Sequence, residues 1–356
     1  MTARTSHPSI PTTRRTPWPL PVLPSVLPFR LVPQTLAVLL ALGALGRPAE
    51  AAGARSFAFP SLRRAASASQ TALGGPGACG EFGAEALRSN PAGLGRQAAA
   101  SWSGGHQAFQ SDLRLEWTGG TVPAGPGSFA LEAAVLHAGS FEGWDAEGNA
   151  TGSFRPFEST AAAGYGATLA DGLRAGATAR ALLLSGPDSH CWGFACDAGI
   201  EKDLGPARLG LAARNLGPST RGAAGYPYPL PAEGAAGLDW AIGQVADVTV
   251  SGLVDRFGAF RMRSGARVRA GASLALLVGG SYEPGDPSGE RFVPRAGFEL
   301  SFDPVSVAYA FASGPGTDAT HHFSISLRGR GSNEATPAGI ARPPAASRTP
   351  ANSARR

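Results

Sequence analysis

The residues of this chain that could do chemistry fall into three small groups. Cys191 and Cys196 frame the segment Cys-Trp-Gly-Phe-Ala-Cys, a spacing that permits a local disulfide but differs from the C-x-x-C of thiol-redox centres. His321 and His322 are consecutive, so on a strand their side chains point to opposite faces and do not share a metal ion. The acidic run 145–149 lacks the acidic ending of a calcium-binding loop. We therefore expect no metal site and no cofactor.

Signatures of catalysis are also missing. The chain has no G-x-S-x-G, H-E-x-x-H, Walker-type or dinucleotide-binding pattern in a suitable context. A hydrolase built into a β-barrel would need a serine, a histidine and an acid at one height, and the sequence identifies no such set. We therefore expect a protein that is not an enzyme.

An apolar run near the N-terminus indicates export. Residues 35–45 (TLAVLLALGAL) follow Arg30 and precede an A-x-A-like site at 49–51, which is the pattern of a signal peptide. The run is too short to cross a bilayer as a helix. The sequence predicts a signal peptide over 1–51, with an over-long N-terminal region and cleavage near Ala51. Export would also permit the disulfide, because exported proteins leave the reducing cytoplasm.

The net charge of +5 is concentrated in the two tails. Residues 1–52 carry five arginines against one glutamate, and residues 329–356 carry the same numbers. The segment between them therefore has a net charge of −3. Because a protein that binds nucleic acid needs a basic face on its folded body, we expect no nucleic-acid partner.

Period-two alternation of apolar and polar residues is the strongest signal in the chain. In 260–269, for example, apolar residues alternate with Arg261, Arg263, Arg267 and Arg269. Glycine and proline, at 49 and 30 residues, supply turns between such segments. The predicted strands are 97–103, 109–117, 128–138, 158–169, 173–184, 195–203, 207–215, 236–243, 246–255, 259–269, 273–283, 293–303, 305–312 and 321–328.

The connections between these strands alternate between short and long. Most of them follow the rule of outer-membrane barrels, in which tight periplasmic turns alternate with longer outside loops. The apolar faces are rich in alanine and glycine, which are too small to fill the core of a soluble β-sandwich, the alternative fold. The sequence therefore predicts an all-β fold, a transmembrane antiparallel β-barrel of about 14 strands with a short N-terminal plug segment. The charged side chains expected to face its lumen are Asp112, Arg114, Glu116, Glu132, Arg174, Arg180, Asp239, Arg261, Arg263, Arg267, Arg269 and Glu299.

The segment Asn90-Pro91-Ala92-Gly93, followed by Leu94, resembles the element that opens the barrel in two groups of outer-membrane proteins, the PorV/PorQ family and the FadL-type transporters. Asparagine bonds nearby backbone and proline ends a strand ladder, so these residues suit a turn that feeds a plug into the first strand. Further segments that resemble the PorV/PorQ family are 209–217, 228–231, 307–311 and 321–327. The resemblance spans about 85–328 and implies a FadL-like barrel of fourteen strands.

The resemblance also implies a function and a location. PorV/PorQ membership implies a docking or accessory role in protein secretion or surface attachment, in the outer membrane of a Gram-negative-type bacterium after signal-peptide cleavage. The FadL side implies instead a channel for small hydrophobic molecules, although Arg-rich lumen faces argue against an apolar pocket. Expected partners are outer-membrane lipid, the barrel-assembly machinery, and either secretion-system proteins or a hydrophobic ligand. The expected segments are 1–51 (signal peptide), 52–96 (periplasmic or plug segment), 97–328 (transmembrane barrel) and 329–356 (disordered tail).

Overall fold

Alternating apolar and polar residues form long antiparallel strands in the computed structural model. The structure describes residues 57–109, 112–186, 190–221, 227–286, 289–314 and 317–329. Its strands are β1 (Ser101–Ala108), β2 (Arg114–Ala124), β3 (Gly127–His137), β4 (Phe141–Trp144), β5 (Ala150–Phe154), β6 (Phe157–Ala170), β7 (Leu173–Ser185), β8 (His190–Leu204), β9 (Ala207–Leu216), β10 (Thr220–Arg221), β11 (Pro227–Tyr228), β12 (Glu233–Ile242), β13 (Ala246–Asp255), β14 (Phe260–Arg269), β15 (Leu274–Asp286), β16 (Gly289–Phe302), β17 (Val305–Gly314) and β18 (Thr317–Arg328). The described helices are α1 (Ala68–Ala72) and the 3₁₀ turns Pro60–Arg63, Gly83–Arg88 and Pro91–Arg96. Within these residues, no helix has the length and apolarity needed to cross a membrane.

Fourteen of the strands close into one antiparallel barrel. Each pairs with its neighbours in sequence order, apart from the two small hairpins β4–β5 and β10–β11. The last strand, β18, closes on β1 through pairs such as Ser101↔Arg328. Closure leaves no free sheet edge, so the backbone groups of the wall are paired between strands, as a membrane requires. The expected fold class and strand number are therefore confirmed.

The two ends of the barrel differ in their connections. One end, here called the turn end, has tight turns such as 125–126, 171–172 and 205–206. The other, here called the loop end, carries the hairpins β4–β5 and β10–β11. The second connection, which the sequence predicted to be longer, is the two-residue turn 125–126. Gly125 permits this turn, because its φ of 58° is a conformation that side-chain-bearing residues rarely adopt.

The first two strands are displaced from their predicted positions. The sequence predicted 97–103 and 109–117, whereas β1 and β2 each begin several residues later. Residues 97–100 link the last 3₁₀ turn to the wall. Phe109 N donates to Leu113 O at 2.9 Å, so these two residues lie side by side ahead of β2.

Residues 57–100, here called the plug, lie inside the barrel. The plug starts at the loop end, where Ala58 N donates to Pro229 O at 3.0 Å. Helix α1 packs on the inner faces of β15–β18, and the turn Pro91–Arg96 packs on β3 and β6–β8. The chain then enters β1 at the turn end. The expected plug segment is therefore present. The expected signal peptide and the tail beyond residue 329 lie outside the described residues.

Glycine opens the groove in which the plug lies. Gly166, Gly176 and Gly199 are direct cross-strand neighbours on β6, β7 and β8. A Cβ atom at Gly176 would overlap the carbonyl oxygen of Pro91, and one at Gly199 would overlap Oδ1 of Asn90. Plug backbone and wall backbone thus come into direct contact, which only glycine allows.

Candidate functional site

The barrel wall has an apolar outer face and a largely charged inner face. Exposed outer side chains include Val122, Phe129, Leu131, Leu169, Phe194, Leu276, Val278, Phe298, Phe302 and Phe323. Buried charged side chains of the inner face include Glu132, Arg174, Arg180, Asp197, Glu201, Arg214, Glu233, Arg261 and Arg263. Outward apolar and inward polar residues are the arrangement of a transmembrane barrel.

One buried ion network joins the plug to β3, β7 and β8. Arg88 of the plug donates from Nε to Glu132 at 3.1 Å and from Nη2 to Thr160 Oγ1 at 3.1 Å. Arg180 pairs with the other oxygen of Glu132 and lies 3.5 Å from Asp197. The four charged side chains are almost completely buried. Removing one member would leave an unpaired buried charge, which typically costs about 3–5 kcal/mol.

A second network holds the middle of the plug against β9, β12 and β14. Glu233 pairs with Arg214 and Arg261. Nη1 of Arg214 and Nη1 of Arg263 donate to the carbonyl oxygen of Pro76, at 3.3 and 2.9 Å. Arginines of the wall therefore bind the backbone of the plug directly, and charges in this lumen do not imply an open, water-filled pore.

A third network lies at the turn end and links strands of the wall. Arg174 donates to both oxygens of Asp203, at 2.8 and 2.6 Å. Arg208 donates from Nε to Asp203 at 2.8 Å and from Nη1 to Asp239 at 3.1 Å. The bidentate contact of Arg174 is the strong form of an ion pair.

The plug also contributes to the charges near the turn end. Arg96 of the plug lies 3.4 Å from Glu201, a wall residue whose side chain is fully buried.

Two carboxyl groups of the plug have raised pKa values. Burial raises the pKa of Glu81 and Glu85 to about 7. These two carboxyl groups therefore titrate near neutral pH, and their charge affects how firmly the plug is held.

The structure places the predicted lumen charges in two different ways. Glu132, Arg174, Arg180, Asp239, Arg261 and Arg263 lie in the networks above, Arg267 pairs with Glu299 at 3.1 Å, and Arg269 pairs with Asp247 at 2.5 Å. Asp112, Arg114 and Glu116, in contrast, are exposed on the loop end and the outside of the barrel and do not line the lumen. The reason is that β2 presents its apolar face inward, opposite to the phase expected from the sequence.

An apolar stripe on the inner face of β2 and β3 results from this inverted phase. Leu115 and Trp117 of β2 point inward and are 0% and 3% exposed, and they form one cluster with Leu136 of β3. Phe109 and Leu113 extend the cluster to the loop end. The full stripe is Phe109, Leu113, Leu115, Trp117, Ala134 and Leu136, and plug residues Ala66 and Ala84 cover it.

The inward position of this stripe was not predicted from the sequence. Residue size does not reveal this phase, because large apolar side chains such as Phe298 and Phe323 also lie on the outer face. One polar contact anchors the stripe: Trp117 Nε1 donates to Glu132 at 2.9 Å. The stripe therefore lies directly beside the ion network that holds the plug.

The resemblance motif forms a tight junction between plug and wall. Asn90 Oδ1 accepts from Ala92 N at 3.0 Å and so caps the turn Pro91–Arg96. Its Nδ2 donates to the carbonyl oxygens of Ala78, Ile200 and Leu211, at 2.7, 3.1 and 3.2 Å. Asn90 is 1% exposed, so these bonds lie in the interior. The motif fixes the plug and has no contact with an open cavity.

The possible disulfide between Cys191 and Cys196 is not formed in this structure. Cys191 is buried and Cys196 is exposed, and both are free thiols. They lie on the same strand, β8, five positions apart, so their side chains point to opposite faces of the wall. A bridge across the wall would require the strand to break.

The other chemistry-bearing groups show no metal site among the described residues. No cluster of three or more metal-ligating side chains occurs there. His321 and His322 point outward and inward, and His321 Nδ1 lies 2.8 Å from Tyr309 Oη. Asp145 accepts from Glu147 N and from the backbone and side-chain nitrogens of Asn149, and the side-chain bond lowers the Asp145 pKa. The Asp145 carboxylate therefore stabilises its own hairpin turn.

Comparisons with known proteins point to one kind of barrel. No family model and no curated protein matches the sequence. The CymD monoaromatic hydrocarbon channel superposes with a TM-score of 0.56 at 15% identity, over 77% of this chain and 99% of the channel. The toluene transporter TbuX of Ralstonia pickettii gives 0.53 at 14% identity, over 75% and 99%. The toluene transporter TodX of Pseudomonas putida gives 0.52 at 14% identity, over 74% and 98%. These likenesses show the fold and lend no support to a PorV/PorQ assignment.

Proposed function

We propose that this chain is an outer-membrane channel for small hydrophobic molecules, closed in this structure by its plug. The observation that carries the proposal is the apolar stripe, from Phe109 at the loop end to Trp117, on one side of a lumen that is otherwise charged. A general porin would have a polar, water-filled interior. A continuous apolar strip instead offers a dissolved hydrocarbon a surface on which it leaves water, worth about 0.8 kcal/mol per buried CH₂ group.

The part of the plug that covers the stripe is suited to moving away from it. From the plug, the small side chains of Ala66 and Ala84 cluster with the stripe, and the Arg64 guanidinium lies 4.8 Å from the centre of the Phe109 ring. The buried ion network of Arg88 holds the plug at another place. A modest movement of the two alanines away from the stripe would uncover an apolar path without breaking the buried ion pairs. The loop end, which bears the hairpins, then faces the outside medium, as in other barrels of this kind.

The channel role has more support than the secretion role that the PorV/PorQ resemblance implies. The three solved structures reported above are described as a hydrocarbon channel and two toluene transporters. The same fold argues for a non-enzymatic protein in the outer membrane. In the sequence, the many arginines of the inner faces argued against an apolar channel. Their presence is explained by the plug, because arginines such as Arg214 and Arg263 bind its backbone.

Uptake of toluene tests the proposal. Cells that express the chain should take up labelled toluene several-fold faster than cells with an empty vector. Leu115→Asn places a polar group on the path, and because an unsatisfied buried amide costs about 1–3 kcal/mol, uptake should fall roughly tenfold.

Leu277→Asn is the matched control. Leu277 is also an inward leucine, 2% exposed, but it belongs to the cluster around α1 and lies outside the stripe. Heat-modified migration on gels shows that each variant is folded. Uptake no faster than with the empty vector, or an equal loss for both leucines, would contradict the channel.

A further inference from the structure

The outer face of β1 and β2 interrupts the apolar belt of the barrel. His106 and Glu116 are paired cross-strand neighbours that point outward, with Nδ1 and Oε1 2.7 Å apart. The adjacent outward residue of β18 is Phe323, whereas the next outward row toward the loop end contains Arg114 and His321, so the pair lies at the loop-end edge of the apolar belt. About half of each polar side chain is exposed, at 43% and 49%. Ionisable groups on a lipid-facing wall are costly, and proteins usually cover them with other protein.

The pair offers complementary atoms to the outside. Nε2 of His106 and Oε2 of Glu116 have no partner among the described residues. A protonated imidazole can donate from Nδ1 to its own glutamate and from Nε2 to another carboxylate. The free donor and the free acceptor thus match those of an identical pair.

The same outer face carries a shallow depression nearer the turn end. It is open and apolar, and Trp102, Phe129 and Leu131 are among its lining residues. Val122, also in the lining, is 64% exposed and protrudes beside the depression. The indole of Trp102 lies next to Gly104, where a Cβ atom would be 3.2 Å from the ring. The face therefore carries both a depression and projecting side chains.

We propose that the outer face of β1 and β2 is the contact between two copies of this chain in the membrane. Two copies inserted in the same direction are related by a two-fold axis along the membrane normal, so residues at equal height meet. Such a contact is isologous: His106 of each copy faces Glu116 of the other, and the ring of four groups is neutral when both imidazoles are protonated. Below the ring, Val122 and Phe129 of one copy pack toward the depression of the other.

Cysteine cross-linking in native membranes tests the dimer. In a background with Cys79→Ser, Cys191→Ser and Cys196→Ser, Thr118→Cys places a thiol on the exposed side of β2. Val250→Cys, on the outer face of β13 across the barrel, is the control. Mild oxidation should produce a cross-linked dimer from Thr118→Cys in at least several-fold excess over the control.

Two further variants show whether the polar pair makes the contact. His106→Leu/Glu116→Leu makes the wall more apolar and should reduce cross-linking at Thr118→Cys at least fivefold. The exchange His106→Glu/Glu116→His keeps the pair complementary and should restore it. Equal cross-linking at both positions, none at Thr118→Cys in folded protein, or cross-linking that the leucine pair leaves unchanged would overturn the dimer. None of these results depends on toluene uptake, so the dimer and the channel fail separately.

Discussion

At the scale of single residues, glycines of the wall determine the position of the plug. Asn90 Nδ2 lies within hydrogen-bond distance of three backbone oxygens, and the side chain fits there only because Gly199 leaves room for it. The Asn-Pro turn could be predicted from sequence, since both residues favour turns. The position of Gly199 on β8 next to this turn could not be predicted, because the contact joins residues that are far apart in the chain.

Gly199→Ala should therefore loosen the plug. The added Cβ overlaps Asn90 Oδ1, and overpacking of this kind costs about 1–3 kcal/mol. We expect faster proteolysis of the plug and a lower unfolding temperature. The double variant Gly199→Ala/Asn90→Ala should lose less than the sum of the two single variants, because the clash is gone.

Gly234→Ala provides the matched control for this prediction. Gly234 lies on β12, and a Cβ atom added there would have nothing within 4 Å, so alanine should be tolerated. Strictly additive losses in the double variant, or equal losses at both glycines, would refute the contact between Asn90 and Gly199.

The phase of β2 is the clearest limit of residue patterns. Within the described part of 109–117 the predicted alternation is present, but we predicted that its apolar face would contact lipid. A period of two residues separates two faces of a strand and does not show which face lies inside the barrel. Only the closed barrel, with Leu115 buried and Glu116 exposed, fixes that choice.

At the scale of elements, the plug behaves as a separate unit inside the wall. It contains one short helix and three 3₁₀ turns, so its own hydrogen bonds hold it weakly, and contacts with the barrel position it. Its presence before β1 could be predicted from the turn motif. Its path could not, because the path depends on arginines contributed by several strands.

The titration of Glu81 and Glu85 should make plug docking depend on pH. Their pKa values are raised to about 7 in the folded protein against an ordinary value of 4.5. A raised carboxyl pKa means that docking is strongest when these groups are protonated, below about pH 4.5, and weakens as pH rises toward 7. Hydrogen exchange, corrected for the intrinsic effect of pH, should show more protection of 65–95 at about pH 5 than at about pH 8.

Glu81→Gln/Glu85→Gln should remove most of this difference, since neither glutamine titrates. Glu147→Gln, in the exposed hairpin turn, is the control and should keep the wild-type pH response. If protection in the wild type rises with pH, or if the double variant keeps the full response, the buried carboxyl groups do not control docking.

At the scale of the whole molecule, fold and function differ in how far the sequence determines them. Alternation and connection lengths were enough to predict a fourteen-stranded barrel, because a closed membrane wall leaves few other solutions. The function depends on whether the lumen offers an apolar route, and that follows from the inward turn of Leu115 and Trp117. In the proposed closed channel, charged side chains of the lumen hold the plug, and the apolar stripe lies beneath it.

Locking the plug is the most direct test of a channel that opens by plug movement. Ala68 N lies 3.2 Å from Ser324 Oγ, so Ala68→Cys/Ser324→Cys in a background free of native cysteines can tie the plug to β18 near Ala66. Toluene uptake by cells with the oxidised pair should fall to the level of the empty vector and recover on reduction, while each single cysteine variant takes up toluene normally. Uptake that continues unchanged through the verified disulfide would contradict a channel that opens in this way.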